Sequence, residues 1–256
     1  MAVERITSRS NPLVIRLRKL NSKRSARREE GVFCGEGPKL LAEALKWGAD
    51  LETVIYAEGT SLPELPEQTR VVEVPESMLS AVADTETPQG VVFVCKSFGL
   101  SLPEHLEGKR YLILDGVQDP GNVGTIWRTA DAFGADALIL CGNCADPYSP
   151  KTVRSTMGAI FRLPVYEATL EETAAKLSAV GIPLYTTALR EDTVDARECS
   201  LSNAAVIIGS EGRGVSDLAL QLCQKTLKIP MISRCESLNA AVAASVVLWE
   251  MARGDL

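Results

Sequence analysis

The sequence predicts an α/β protein in two parts: a carboxy-terminal domain built on a parallel sheet, and a smaller amino-terminal α/β domain. After residue 110, apolar runs of strand length alternate with segments of helical periodicity, as in repeated strand–helix units. A stretch rich in glycine, proline and charge, residues 98–110, predicts a linker between residues 1–97 and residues 111–256. The 256 residues, 46% of them hydrophobic, suffice for two cores.

The amino-terminal part, residues 1–97, is predicted to hold two helices and three strands. Leu13, Leu17 and Leu20 recur among cations at the spacing of a basic amphipathic helix. The run PKLLAEALKWG predicts a second helix, with proline at its start and glycine at its end. Three β-branched runs bounded by proline, glycine and glutamate predict strands at residues 54–56, 71–74 and 91–94.

The carboxy-terminal part predicts alternating strands and helices. Its strands are expected at residues 111–114, 137–140, 183–186, 205–208 and 226–229. Its helices are expected at residues 125–134, 170–180 and 237–252, after a loop at residues 115–124. Such units form a parallel sheet covered on both faces, and ligands bind at the carboxyl ends of its strands.

Charge is distributed unevenly along the chain. The formal net charge is −6, yet residues 1–30, here called the basic arm, hold nine basic and three acidic residues. A basic arm on an acidic body is typical of a polyanion-binding protein, although a solvated helix face would have the same composition. The candidate polyanion contacts are Arg9, Arg16, Arg18, Lys19, Lys23, Arg24, Arg27 and Arg28.

The cysteine count and the first residues predict a cytoplasmic protein. Seven scattered cysteines in a chain of this size indicate reduced thiols. The start MAVERITSRS lacks an apolar secretory core, which leaves a mitochondrial transit sequence as the weaker alternative. No apolar run is long enough to span a membrane. The pair Cys141 and Cys144 has no partner pair, so we expect a structural role and no metal.

Three predicted loops follow strands and concentrate glycine and polar residues, at residues 115–128, 209–216 and 229–239. The polar side chains that they offer for chemistry are Asn122, Arg128, Glu211, Ser237 and Asn239. Turn formation and helix capping are simpler roles for several of them. The second loop, GSEGRG, has a G-x-x-G-x-G order and not the G-x-G-x-x-G of dinucleotide-binding folds, which disfavours a dehydrogenase.

Together these loops resemble the SpoU (TrmH) family of RNA ribose 2′-O-methyltransferases in the SPOUT superfamily. The motif N-x-G-x-x-x-R matches at Asn122, Gly124 and Arg128. The segments I-x-G-S/N-E-G-x-G and I-P-M followed by E-S-L-N-A-A-V-A match at residues 207–214 and 229–243. Three motifs in the right order are far more specific than any one of them.

Two further segments resemble the same family. The run DPYSPKTVRSTMGAIFRLPV, residues 146–165, is similar to the stretch that the family has between its motifs. The run NPLVIRLRKL, with Phe33, Glu36 and Gly37, resembles the family's amino-terminal RNA substrate-binding domain, which is akin to a small ribosomal-protein fold. The resemblance thus covers both predicted domains.

The resemblance implies a SPOUT domain with a deep trefoil knot, which periodicity alone could not predict. It also implies S-adenosylmethionine as cofactor, bound in a bent form in the knotted loops. The positions carried over for cofactor binding are Thr187, Ala188, Leu189, Gly209, Ile229, Met231 and Leu238. Family members usually form homodimers through the knot domain and complete the active site across the interface.

The resemblance places Arg128 at the catalytic position, with Asn122, Glu211, Ser237 and Asn239 around it. Arginine is a poor base, because its pKa keeps it protonated. Arg128 therefore either loses its proton transiently in a desolvated, phosphate-adjacent pocket or orients a substrate phosphate that takes the proton.

The partner implied is structured RNA. The two-domain layout favours ribosomal RNA over transfer RNA by analogy. A catalytically silent RNA-binding or ribosome-assembly protein of the same fold stays open as the alternative function. No membrane or metal partner is expected.

Overall fold

The computed structural model describes residues 3–190, 193–232, 234 and 237–255. The strands in this part of the chain are β1 Glu4–Arg5, β2 Val32–Glu36, β3 Leu51–Ala57, β4 Arg70–Val74, β5 Val91–Lys96, β6 Arg110–Asp115, β7 Ala137–Cys141, β8 Val165–Glu167, β9 Leu184–Thr187, β10 Val194–Asp195, β11 Ala204–Gly209 and β12 Lys225–Lys228. The α-helices are α1 Pro12–Ser22, α2 Arg24–Glu30, α3 Pro38–Lys46, α4 Glu76–Leu79, α5 Pro120–Ala132, α6 Pro150–Ser155, α7 Leu170–Ala179, α8 Asp217–Leu222 and α9 Ala240–Ala252.

The chain folds into two compact units. Unit 1 comprises Met1–Phe98 and Asp146–Phe161, and unit 2 comprises Gly99–Ala145 and Arg162–Leu256. The expected carboxy-terminal domain, residues 111–256, thus needs a correction, because a stretch of it packs within unit 1. The family resemblance of residues 146–165 does not indicate that this segment packs within unit 1, because that packing depends on contacts with residues distant in sequence.

Unit 1 is built on a mixed five-stranded sheet in the order β1-β4-β3-β5-β2. β1, β4 and β3 run parallel, while β5 is antiparallel to both β3 and β2. Leu13, Leu17 and Leu20 of α1 are buried in its core, as their spacing predicts. The segment from residue 146 adds Tyr148, whose ring stacks on Phe33 with centroids 5.1 Å apart.

A buried ion pair joins α2 to this added segment. Arg27 is 5% exposed, and its Nη2 donates to Asp146 Oδ2 at 2.6 Å, while its Nε donates to the same oxygen at 3.0 Å. Its Nη1 donates to the carbonyl oxygens of Leu20 and Asn21. The expectation that Arg27 binds RNA is therefore wrong, because these partners use its donors and the side chain is inaccessible.

The predicted linker, residues 98–110, also needs a correction. Leu102 and Leu106 are buried in the core of unit 2. The carbonyl oxygen of Leu100 accepts from the backbone N–H of Glu167 at 2.7 Å. Glycine, proline and charge here mark a packed loop and not a free connection.

Unit 2 is built on a seven-stranded sheet in the order β10-β12-β9-β11-β6-β7-β8, and every pair in it is parallel. This agrees with the expected fold class. Helices α5 and α9 pack on each other, and α7 packs on α8. No helix in the described part of the chain is long and apolar enough to cross a bilayer.

Two helices of unit 2 begin elsewhere than predicted. α5 begins at Pro120, five residues before the expected start, because Asp119 caps it by accepting from the backbone N–H of Asn122 at 2.9 Å. α9 begins at Ala240, three residues after the expected start, with Asn239 as its cap. Asn122 thus lies in the first turn of a helix and not in a loop.

Removing one partner of the buried ion pair should destabilise unit 1. We expect Asp146→Ala to lower the free energy of unfolding by about 3–5 kcal/mol, because it leaves the Arg27 charge buried and unpaired. Urea denaturation would measure the loss. Glu4→Ala is the control, since the Glu4–Arg70 pair is 45% and 47% exposed and should be worth less than about 1 kcal/mol. Equal losses in the two variants would contradict the prediction.

Candidate active site

The loop after β11 is a tight turn anchored to the end of β6. Ser210 and Gly214 exchange backbone hydrogen bonds at 3.0 and 2.9 Å, which closes the turn around Glu211. The carboxylate of Asp115, the last residue of β6, accepts from the backbone N–H of Ser216 at 2.7 Å. Gly209 is required here, because a Cβ atom built on it would lie 2.1 Å from the carbonyl carbon of Gly214.

Hydrogen bonds between side chains join this turn to the starts of α5 and α9. Asn122 Nδ2 donates to Glu211 Oε1, and Asn239 Nδ2 donates to Asn122 Oδ1 at 3.3 Å. Asn239 Oδ1 also accepts from the backbone N–H of Ala241 at 2.9 Å as the cap of α9. Asn239 thus caps α9 through its side-chain oxygen. Its side-chain nitrogen stays available for the hydrogen bond to Asn122.

A cavity of about 270 Å³ lies beside this network, at the carboxyl ends of β9, β11 and β12. All seven residues predicted to bind the cofactor line it: Thr187, Ala188, Leu189, Gly209, Ile229, Met231 and Leu238. Of the predicted catalytic set, Glu211 and Ser237 line it as well. The three motif loops thus meet in one place.

The walls of the cavity are mostly apolar, with a few polar groups among them. Ile208 and Leu227 contribute aliphatic surface, and Ser210 and Lys228 contribute polar groups. The Thr187 hydroxyl donates to the carbonyl oxygen of Ile207 at 3.2 Å, so its oxygen is oriented by the neighbouring strand. Such a mixture is typical of a small-molecule site in a parallel α/β sheet.

Arg128 is not part of the network formed by Asn122. It is exposed on α5. Six residues of helix put it about 9 Å along the axis from Asn122 and roughly 120° around it. The expected grouping of Arg128 with the other catalytic residues is therefore not found within one chain.

The site residues that the sequence did not single out include Asp115, which anchors the turn, and the cavity residues Ile208, Ser210, Leu227 and Lys228. Asp115 carried a usable signal, since a carboxylate directly after a buried strand lies at the ligand-binding edge of a parallel sheet. Lys228 and Leu227 fell inside a predicted strand, where no polar motif marks them. Cys235 and Glu236, within the third motif, lie outside the described residues.

The basic arm is only partly available for a polyanion. The exposed candidates are Arg9, Arg18, Lys19, Lys23, Arg24 and Arg28. Arg16 is half-buried, and its guanidinium contacts the carboxylates of Glu30 and Glu52. The hydrogen bond between Arg16 and Glu52 raises the pKa of the arginine and lowers that of the glutamate. Arg16 is thus held within unit 1 by two ion pairs.

Cys141 and Cys144 are both buried in unit 2. Burial raises the pKa of Cys141 to about 12 and that of Cys144 to about 11. The Cys144 thiol hydrogen-bonds the carbonyl oxygen of Cys141 at 3.2 Å. Thiols in this state are poor nucleophiles and poor metal ligands at neutral pH. Among the described residues, no cluster of His, Cys, Asp and Glu is suited to hold a metal ion.

Comparison with known proteins identifies the class to which this fold and site belong. Residues 109–249 match the model of the SpoU rRNA methylase family. Residues 11–92 match the model of the MRM3-like substrate binding domain. The chain therefore belongs to the SpoU rRNA methylase family, and its amino-terminal unit carries a substrate-binding domain of the MRM3-like type.

Three relatives are similar over nearly the whole chain. The 23S rRNA (guanosine(2553)-2′-O)-methyltransferase RlmP of Bacillus subtilis is 34% identical over 97% of this chain and 99% of its own. The AdoMet-bound rRNA methyltransferase from Sinorhizobium meliloti superposes with a TM-score of 0.88 at 34% identity, covering 99% of both chains. The SpoU methyltransferase AviRb from Streptomyces viridochromogenes, in complex with AdoMet, has a TM-score of 0.84 at 29% identity, covering 95% of this chain and 98% of its own.

The turn after β11 allows a matched test with two glycines. We expect Gly209→Ala to weaken S-adenosylmethionine binding by at least about tenfold, because the added Cβ cannot fit beside Gly214. Gly212→Ala is the control, since no atom lies within 4 Å of a Cβ at that position. Titration calorimetry on both variants would measure the affinities. Unchanged cofactor affinity in a folded Gly209→Ala variant would contradict the assigned cavity.

Proposed function

We propose that this protein transfers a methyl group from S-adenosylmethionine to a ribose 2′-hydroxyl of ribosomal RNA. The observation that carries the proposal is the single cavity at the ends of β9, β11 and β12, which the seven predicted cofactor residues line. The hydrogen-bonded group of Asn122, Glu211 and Asn239 lies beside it. Membership of the SpoU rRNA methylase family supports the same reaction.

The residues of the cavity fit this cofactor. Leu189, Ile229 and Leu238 offer apolar surface for an adenine ring, and the Glu211 carboxylate offers a negative charge for a sulfonium. Its volume of about 270 Å³ is close to the lower limit of the roughly 300–1,000 Å³ of small-molecule pockets. Two of the structurally similar methyltransferases were solved with AdoMet bound.

The reaction forms a bond between the ribose 2′-oxygen and the methyl carbon, and the proton of the hydroxyl must leave. When bound, S-adenosylmethionine supplies an activated methyl group, because its sulfur leaves with the electron pair as a neutral thioether. Asn122 and Asn239 are suited to hold the sugar, since their amides are already oriented by hydrogen bonds. Positioning of this kind contributes about 7 kcal/mol or more when the alignment is good.

We propose that Arg128 binds the substrate phosphate and does not act as a base. Binding a phosphate needs only the charged guanidinium, whereas a base role would require the loss of a proton that arginine holds strongly. A guanidinium forms bidentate hydrogen bonds with phosphate oxygens. A phosphate held in this way lies next to a ribose and can take the proton from its 2′-oxygen.

The RNA is proposed to be ribosomal. Bacillus subtilis RlmP, similar over 97% of this chain, is a 23S rRNA methyltransferase by its name. The MRM3-like substrate binding domain at residues 11–92 supports RNA contact by unit 1. The exposed cations of the basic arm supply phosphate contacts that favour RNA without specifying its sequence.

We further propose a homodimer through unit 2, with the family's trefoil knot. Val242, Val246 and Trp249 form an exposed apolar stripe on α9, at 48%, 41% and 51% exposure. α9 packs against α5, which carries Arg128. A second copy covering these helices would bury the stripe and bring Arg128 to the partner's cavity. The knot is what membership of the SpoU rRNA methylase family implies.

We also propose a cytoplasmic location. Among the described residues, no disulfide joins the six cysteines Cys34, Cys95, Cys141, Cys144, Cys199 and Cys223. A reducing compartment would keep their thiols reduced.

The reaction is tested by incubating the protein with isotope-labelled S-adenosylmethionine and ribosomal RNA and identifying the labelled nucleoside by mass spectrometry. We expect a 2′-O-methylated nucleoside. Arg128→Ala should lower the rate by at least about 10²-fold while cofactor affinity stays unchanged, because the guanidinium acts on the substrate. Thr125→Ala, an exposed change on the same helix, should be near wild type. A methylated base, or near-normal turnover by Arg128→Ala, would overturn the proposal.

The shared site is tested by mixing two impaired variants, at an S-adenosylmethionine concentration well below the Kd of the Gly209→Ala variant. If Arg128 of one protomer serves the cavity of the other, Arg128→Ala and Gly209→Ala should regain about a quarter of wild-type activity when dissociated and reassociated together. Half of the dimers would then be mixed, with one intact site each. Methyl transfer measured after mixing gives the result, and no recovery in confirmed mixed dimers would show that the site lies within one chain.

A further inference from the structure

Unit 1 contains a second cavity, of about 740 Å³, which the proposed reaction does not use. Its volume lies within the roughly 300–1,000 Å³ of ligand pockets. It is lined by α3, by residues 85–89 and by the turn that follows α6. Part of this lining lies within the MRM3-like substrate binding domain, residues 11–92.

The wall formed by residues 84–85 is held firmly. Glu36 accepts from the backbone N–H groups of Asp84 and Thr85 at 3.0 and 3.3 Å, and from the Thr85 hydroxyl. Asp84 in turn pairs with Arg154 at 2.9 Å. These bonds tie residues 84–85 to the Glu36 carboxylate, so the wall presents a fixed surface.

The turn that follows α6 adds a strained residue to the lining. Met157 has a φ of 50°, and it is the only non-glycine residue with positive φ in the described part of the chain. Its side chain is 53% exposed and lines the cavity. A glycine would adopt this backbone conformation without strain. A methionine at this position therefore has an energetic cost. Met157 offers a soft sulfur of the kind that packs against aromatic rings.

The polar lining matches the groups of a nucleotide. The Gln89 amide presents both a donor and an acceptor, as the edge of a nucleobase does, and Thr87 adds a hydroxyl. Lys39 places a cation at the same cavity, where a phosphate would be attracted, whereas Arg154 is paired with Asp84 and Glu43 adds a carboxylate to the lining. A nucleotide whose base edge meets Gln89 and Thr87 and whose phosphate lies near Lys39 fits these groups.

We infer that this cavity takes one unpaired nucleotide of the substrate RNA, with the base against Met157 and its edge at Gln89. The inference rests on the proposed function, because it assigns the part of the RNA that selects the substrate. Proteins recognise RNA sequence mainly through unstacked bases in loops and bulges. The basic arm then supplies affinity that depends on salt, while this cavity supplies selectivity.

Two uncharged substitutions test the cavity in the full chain. Affinity for purified 23S rRNA is measured without cofactor, as a function of salt. We expect Gln89→Ala to weaken binding about tenfold, the loss of one base-edge contact, and Met157→Gly about fivefold, the loss of a contact between sulfur and an aromatic ring. Neither removes a charge, so the slope of log affinity against log salt should not change. Gln68→Ala, an exposed glutamine in the same unit outside the cavity, is the control.

The Met157→Gly variant separates binding from folding. Glycine accepts a positive φ, so its thermal midpoint should stay close to wild type while RNA affinity falls. If the thermal midpoint and the RNA affinity of Met157→Gly both fall, misfolding explains the loss. The RNA affinity of Gln89→Ala then decides whether the cavity binds a nucleotide. RNA affinities equal to wild type in both variants would overturn the inference, as would a loss for Gln68→Ala equal to that for Gln89→Ala.

The same samples distinguish failure of the inference from failure of the proposed function. Methyl transfer by the wild-type protein tests the reaction alone. If the wild type transfers methyl groups and both variants bind RNA as well as the wild type does, the inferred nucleotide site is wrong and the proposed reaction stands. If both variants bind RNA more weakly and the wild type transfers no methyl group, the nucleotide site stands and the proposed reaction is wrong. S-adenosylmethionine affinity should be the same in all of these proteins.

Discussion

The hydrogen-bond chain from Asn239 through Asn122 to Glu211 is the interaction on which the candidate active site depends. It joins three segments that are distant in sequence, at one edge of the parallel sheet. A single such bond contributes only about 1 kcal/mol to stability, so the chain matters more for shape than for folding. The buried carboxylate of Asp115 anchors the turn that carries Glu211, because it accepts a hydrogen bond from the backbone N–H of Ser216.

This arrangement explains why the amides and the carboxylate occur together. The side-chain nitrogen of Asn122 donates to Glu211, and its side-chain oxygen accepts from Asn239. These two hydrogen bonds fix the orientation of the amide. Asn239 meanwhile caps α9, so the helix cannot begin elsewhere without disturbing the site. Groups that are oriented before the substrate arrives need little reorganisation during the reaction.

The two units divide the work of an RNA-modifying enzyme. Unit 2 carries the cofactor cavity, and unit 1 carries the substrate-binding domain, the basic arm and a cavity suited to a nucleotide. The segment Asp146–Phe161 belongs by sequence to the methylase region but packs within unit 1. The ion pair of Arg27 with Asp146 makes the folding of the amino-terminal unit depend on a later part of the chain.

Local patterns predicted the elements, and motif spacing predicted which loops meet. The apolar runs that became β6, β7 and β11 read as buried strands because parallel strands are covered on both faces. Arg27 was misassigned because a cation in a basic run has no local mark of burial. The start of α5 was missed because proline and glycine suggest a loop, whereas Asp119 caps a helix there. The motif N-x-G-x-x-x-R predicts that Arg128 lies near Asn122 in the active site. It does not indicate whether the two residues come from the same chain or from two chains.

The most direct measurement is a crystal structure of the protein with S-adenosylmethionine. We expect the cofactor in the cavity lined by Gly209, Ile229 and Leu238, with its methyl group facing the side of Asn122 and Glu211. A cofactor bound elsewhere, or a methyl group directed away from those side chains, would contradict this expectation.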